Sequence, residues 1–205
     1  MFAAACAAAS PAGANIDDDL VCTPDDLGGA YLMQVAGEFS SRNLADLAEN
    51  AAKRKAELES SGLRSGRFNY WKQAVGRPPF EDPVELVCQV VEFASETQAA
   101  RFVRSLKAEP GELSTTAVAW LPAEGRAAAE LPVPATINAP PTSRVFRLEA
   151  TSPGPRTTLY VAIAPAGRFV QSVYMGTSPG TATPDETTAV LSRLAARSKP
   201  AASAR

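Results

Sequence analysis

Leu159, Val161 and Ile163 alternate with Thr158, Tyr160 and Ala162, and Phe169, Gln171, Val173 and Met175 alternate with Val170, Ser172 and Tyr174. A period of two marks a strand with distinct faces, one of them apolar here. The two runs predict strands over 157–164 and 168–176, joined by the turn APAG, in which Gly167 can take a positive φ. A further strand is expected at 144–150. Residues 66–75 and 84–93 are rich in β-branched and aromatic side chains. The prolines of GRPPFEDP between them cannot continue a ladder, so two strands and a loop follow.

Helical spacing occurs in three places. Over 43–61, Leu44, Leu47, Ala51 and Leu58 recur at helical intervals before Gly62, and an amphipathic helix of about five turns follows. Its basic run AAKRK is flanked by Glu49, Glu57 and Glu59, so it reads as a solvated charged face. Ser95 and Gln98 form a capping box ahead of Ala99, Phe102, Val103 and Leu106, which predicts a helix over 96–107. Thr183, Pro184 and Glu186 supply the N-cap, first-turn proline and third-position acid of another helix, with Val190, Leu191 and Leu194 on one side. Between 109 and 143 proline and alanine dominate. A short strand or buried plug at 117–121, carrying Trp120, is followed by a long irregular crossing. The elements sum to an α+β fold, an antiparallel sheet of five or six strands packed against two or three helices, the first and last of them lying on the sheet.

At 205 residues, 45% hydrophobic and 20% charged, the chain suits one domain over 20–197, with an Ala-rich, acidic tether at 1–19 and a disordered tail at 198–205. A net charge of -2 gives no field for nucleic acid, and no run approaches the roughly 20 apolar residues of a spanning helix. Ala3, Ala4 and Ala5 before Cys6 resemble the end of a bacterial lipoprotein signal, which makes Cys6 a candidate lipid-attachment site and a membrane the expected partner. The alternative is an Ala-rich cytosolic tail with an incidental cysteine. For Cys22 and Cys88 two fates stand open: a disulfide in an oxidising compartment, or Cys88 as a small buried residue of an apolar strand.

No histidine occurs, which removes Ser-His-Asp triads, Cys-His dyads and His-based zinc sites. Gly176–Gly180 reads G-x-S-x-G, but Ser178 has no histidine base and Pro179 has no N–H to offer an oxyanion, so a strand-to-helix turn explains the motif. No S-x-x-K, nucleotide-binding glycine motif or C-x-x-C is present, and no cofactor is expected. Asp17, Asp18, Asp19, Asp25 and Asp26 form the densest acidic run. An EF-hand starting at Asp17 would need Gly and Glu where Cys22 and Gly28 stand, so the run reads as a solvated linker, with weak divalent binding as the alternative and no metal site expected. Tyr70, Trp71, Trp120, Tyr160 and Tyr174 are candidate lining for an apolar or carbohydrate-stacking pocket, with core packing as the alternative.

Asp26, Leu27 and Tyr31, then Leu44 and Ala45, Gly62 and Gly66, Phe68 and Tyr70, and finally Phe93, Ser95, Ala99 and Phe102 give the chain a layout. It resembles small bacterial extracytoplasmic lipoproteins of unassigned role, similar to the PsbP and Mog1-like α+β sandwiches. That resemblance implies an antiparallel sheet covered by helices and carries no catalytic residues. The expected function is a non-catalytic extracytoplasmic binding or accessory module anchored to the membrane, with an unidentified protein or small molecule as ligand. Two alternatives remain: a carboxylate-dependent hydrolase using Glu92 or Glu149, and a cytosolic protein-interaction scaffold whose 43–61 helix binds a partner helix.

Overall fold

The computed structural model describes residues 16, 18–28, 31–46, 50–74, 84–109, 113, 125–151, 156–177 and 182–203. After a 3-10 turn, Asp18–Leu20, and a short helix α1, Pro24–Leu27, come strand β1, Tyr31–Ser40, helices α2, Ser41–Asp46, and α3, Ala51–Ser61, and strands β2, Leu63–Gln73, and β3, Glu85–Phe93. Helix α4, Glu96–Ser105, strands β4, Gly125–Leu131, β5, Arg144–Thr151, β6, Arg156–Ala166, and β7, Phe169–Thr177, and helix α5, Pro184–Ser203, complete the order. The strands form one antiparallel sheet in the order β1-β2-β3-β7-β6-β5-β4. It is therefore two meanders, of three and four strands, joined where β3 pairs with β7.

The α+β class holds, with seven strands where five or six were expected. The added strands have physical reasons for escaping notice. β1 loses its period of two at a bulge: Met33 faces Trp71 and Val35 faces Tyr70, leaving Gln34 as an extra residue. β4, with the sequence GRAAAEL, has no β-branched or aromatic residue. The expected 43–61 helix is interrupted as well. Asn50 starts α3 afresh, its side chain accepting from Lys53 N at 3.0 Å.

Both faces of the sheet are covered. On one, Val87, Val91, Val161, Ile163, Val170 and Tyr174 meet Ala99 and Val103 of α4. On the other, Leu86, Cys88, Ala162, Val173 and Met175 meet Val190, Leu191 and Leu194 of α5. β3 lies under both layers, which accounts for its nearly unbroken apolar sequence. α2 packs on the same side as α4, with Leu44 against that cluster and Ala45 buried. Of α3's side chains Leu58 is buried, while Ala51 is exposed.

Helix starts follow their sequence signals. Ser95 Oγ accepts from Gln98 N at 3.2 Å. Thr183 and Glu186 close a reciprocal box, Glu186 N donating to Thr183 Oγ1 at 3.1 Å and Thr183 N to Glu186 Oε2 at 3.2 Å. The tail expected to be disordered from 198 instead continues α5 to Ser203, because Ser198 is buried and accepts from Gln171 Nε2 at 2.9 Å. Gly167, at φ 60°, opens the two-residue turn between β6 and β7.

Arg144 locks the four-stranded meander to α4. Its Nε and Nη2 form a fork on Glu130, at 2.8 and 2.7 Å, while Nη1 donates to the Val103 and Leu106 carbonyls at the end of the helix, at 2.9 and 2.5 Å. The hydrogen bonds from Arg144 hold the Glu130 carboxyl below the usual carboxylate range.

β1 is held to β2 by a reciprocal pair. Gly37 lies opposite Phe68, and Phe39 lies opposite Gly66. Each ring covers the glycine across from it. A Cβ on Gly66 would enter the Phe39 ring, which is buried. Gly66→Ala is expected to lower stability by about 1–3 kcal/mol by forcing that ring from its place. An unchanged urea midpoint would reject the role given to the pair.

Candidate functional site

The five candidate pocket aromatics do not come together. Tyr70 and Tyr174 pack on the α4 face, whereas Trp71 and Tyr160 belong to the α5 face; Trp120 lies outside the described residues. Adjacent residues of a strand point to opposite faces, so Tyr70 and Trp71 are separated by the sheet itself. Tyr174 and Trp71 are buried and serve as core. Tyr70 is half-buried, and its phenol is raised above the ordinary tyrosine range by burial first, then by the Glu85 carboxylate and the hydrogen bond made to it. Glu85 also pairs with Lys72 Nζ at 3.4 Å. The phenol stays protonated near neutral pH and is no base there.

Glu92 is buried. Its Oε1 lies 3.1 Å from Arg168 Nη2, and its Oε2 accepts from Ser65 Oγ at 3.0 Å. Glu149 is exposed beside Arg147, at 3.4 Å, on β5. The two carboxylates lie on separate strands in separate meanders. Ser178 and Cys6 lie outside the described residues. Among the described residues no group of His, Cys, Asp or Glu can hold a metal ion, and no helix is long and apolar enough to cross a membrane.

The acidic run is where the structure departs furthest from the solvated linker expected. Residues 16 and 18–28 lie as a strap across the α5 face, with Ile16, Leu20, Val21 and Leu27 buried, so the folded body begins ahead of residue 20; Asp17 lies outside the described residues. Cys22 and Cys88 are joined by a disulfide, with their Cα atoms 5.6 Å apart, and both are buried. Side chains from three elements donate to the strap's main-chain carbonyls. Arg67 Nη1 reaches Ile16 O at 3.2 Å, and Asn69 Nδ2 reaches Cys22 O at 3.2 Å. Gln171 Nε2 reaches Leu20 O at 3.3 Å, and Arg193 Nε reaches Asp26 O at 2.6 Å. Arg197 reaches Asp19 O at 2.6 Å and Val21 O at 2.7 Å.

Carboxylates complete the arrangement. Asp18 pairs with Arg67, and Asp19 pairs with Arg197 at 3.4 Å. Asp26 is buried. Its Oδ2 takes Arg197 Nη2 at 2.8 Å, Thr23 N at 2.8 Å and Thr23 Oγ1 at 3.0 Å. Such a site binds a polypeptide segment by its backbone, and here the chain's own residues fill it. The acids were conspicuous in the sequence, but their arginines lie as far as 178 residues away, which local spacing cannot reveal.

The open surface is elsewhere. β1 is the edge strand beside β2, and among the described residues its other side pairs with no strand. The large hydrophobic side chains that stand exposed among the described residues all lie on it: Leu32 at 59%, Met33 at 54% and Val35 at 52%. Of its ten residues one is charged, Glu38. Edge strands usually carry lysine, proline or inward-pointing charge against unwanted pairing. Contiguous exposed apolar side chains mark interaction surfaces, and β1 is the best candidate here.

No family model and no curated protein matches the chain. Among solved structures it is similar to the extracellular domain of PknH from Mycobacterium tuberculosis, with a TM-score of 0.50 and 10% identity, covering 91% of this chain and 94% of that one. At that identity the likeness speaks for the fold alone.

Proposed function

We propose that this chain is an extracytoplasmic binding or accessory module without catalytic activity, of the small-lipoprotein kind with a PsbP/Mog1-like sandwich, held at the membrane by acyl chains on Cys6. The observation that carries the reading is the Cys22–Cys88 disulfide, buried between the strap and the sheet. A cystine built into the core suits an oxidising compartment, since reducing cytosol keeps such thiols apart. An extracellular domain is also the setting of the similar PknH fold. For binding in place of catalysis, the support is that Glu92 is consumed by Arg168 and Ser65, while β1 offers apolar side chains to solvent.

Labelling cells with a palmitate analogue tests the anchor. Label is expected on the wild-type chain in the membrane fraction and absent from Cys6→Ser, which should be released. Unlabelled wild-type protein in the soluble cytosolic fraction would reject the reading.

A further inference from the structure

We infer that the β1 edge is a self-association surface, taking the β1 strand of a second copy of this chain in antiparallel pairing. An antiparallel edge is suited to its own copy. The N–H and C=O groups that such an edge turns outward recur with the spacing that a two-fold-related strand supplies in return. What usually forbids such pairing is side-chain charge, and this strand has almost none.

The bulge supplies the register. On a regular strand Leu32 and Val35, three residues apart, would point to opposite faces. With Gln34 as the extra residue, Leu32 stands beside Lys72 and Val35 beside Tyr70, on the same side of the sheet. Two copies related by an axis between Met33 and Gln34 therefore place Leu32 opposite Val35 of the other copy, twice, as an apolar patch on the α4 face. The same register sets Tyr31 against Ala36 on the α5 face, and Met33 against Gln34 at the centre of the junction. Glu38 falls opposite position 29, outside the copy's strand, and the two Glu38 carboxylates stay roughly 30 Å apart, beyond the range of screened repulsion. In the free monomer Gln34 Nε2 donates to Leu32 O at 3.0 Å, a local bond that pairing would exchange.

β4, the opposite edge, lacks these properties. It is shorter, and its seven residues include Arg126 and Glu130, the latter held by Arg144. A foreign strand would also meet backbone groups on β1, but Glu38 is the single charge it would find there to select it. The copy is the occupant whose apolar positions match.

A single strand pair buries less than the standard protein interface of about 1,200–2,000 Å², so the association belongs in the weak, concentration-dependent class. Confinement of copies to a surface would raise their effective concentration.

Sedimentation velocity of the full chain, run through the micromolar range and upward, is the test. The mass is expected to rise from 21.5 kDa toward twice that value. Val35→Lys, with the lysine opposite Leu32 twice in the dimer, should weaken association roughly tenfold or more. Leu32→Glu should do the same, while Ala56→Lys on the exposed side of α3 should leave it unchanged. Unaltered thermal melting of the variants would separate lost pairing from lost folding. A wild-type chain that stays monomeric overturns the proposal and leaves the edge to a foreign strand. So does a dimer that ignores both β1 variants. The pairing does not depend on the compartment: an unlabelled cytosolic chain that dimerises would reject the anchor and keep the interface, and an acylated monomer would do the reverse.

Discussion

Cys22→Ala combined with Cys88→Ala is expected to lower stability by about 4 kcal/mol, the chain entropy that the unfolded state regains when a cross-link with a sequence separation of 66 is removed. The bridge fastens an irregular segment to the central strand β3, so its removal acts on the unfolded state by freeing a long loop and on the folded state by loosening the strap. Denaturant unfolding under oxidising conditions, with the double variant beside the wild type, measures the effect. Because both cysteines are buried, added reductant should act on the folded wild type only as fast as the chain opens. A double variant within about 1 kcal/mol of the wild type, near the typical effect of a single substitution, would show that the strap is held without its covalent tie.

Arg197→Ala should be nearly as costly, at about 3 kcal/mol. The guanidinium of Arg197 meets the buried carboxylate of Asp26 at 2.8 Å and the carbonyls of Asp19 and Val21 at 2.6 and 2.7 Å. Truncating it leaves a buried charge answered by Thr23 alone among the bonds described for Asp26, and an orphaned buried carboxylate is the expensive half of any broken pair. The double variant Arg197→Ala with Asp26→Asn should recover part of the loss, because the charge that needed a partner is gone. The urea midpoints of the two variants and the wild type decide the matter. A double variant no more stable than Arg197→Ala alone would mean that the carbonyl contacts, and not the Asp26 charge, carry the effect.

Much of the architecture could be read along the chain, and the omissions have causes. β6 and β7 declared themselves by alternation and by Gly167; β3 did so by its apolar run; α4 and α5 did so by capping residues whose hydrogen bonds are present. β1 was hidden because Gln34 breaks the period at mid-strand, and β4 because its three consecutive alanines favour no extended conformation. The pocket failed for a topological reason. Tyr160 and Tyr174 belong to neighbouring strands in register, but Tyr174 pairs with Val161 and Tyr160 with Met175, and this one-residue offset turns them to opposite faces. The acidic run was misread because a carboxylate's fate depends on what the rest of the chain brings to it. Asp26 and Arg197 are remote in sequence, and Glu92 and Arg168 are joined only once β3 lies beside β7.

The strap also orders events in time. Its carbonyls wait for donors at Arg193 and Arg197, near the far end of the polypeptide. A ribosome or translocation pore releases the chain from its amino end, so residues 16–28 emerge before the helix that must grip them, and contacts of such long sequence separation form late. Until that helix arrives, the strap lacks the guanidinium donors that hold the carbonyls of Asp19, Val21 and Asp26, so this end of the fold is fastened last.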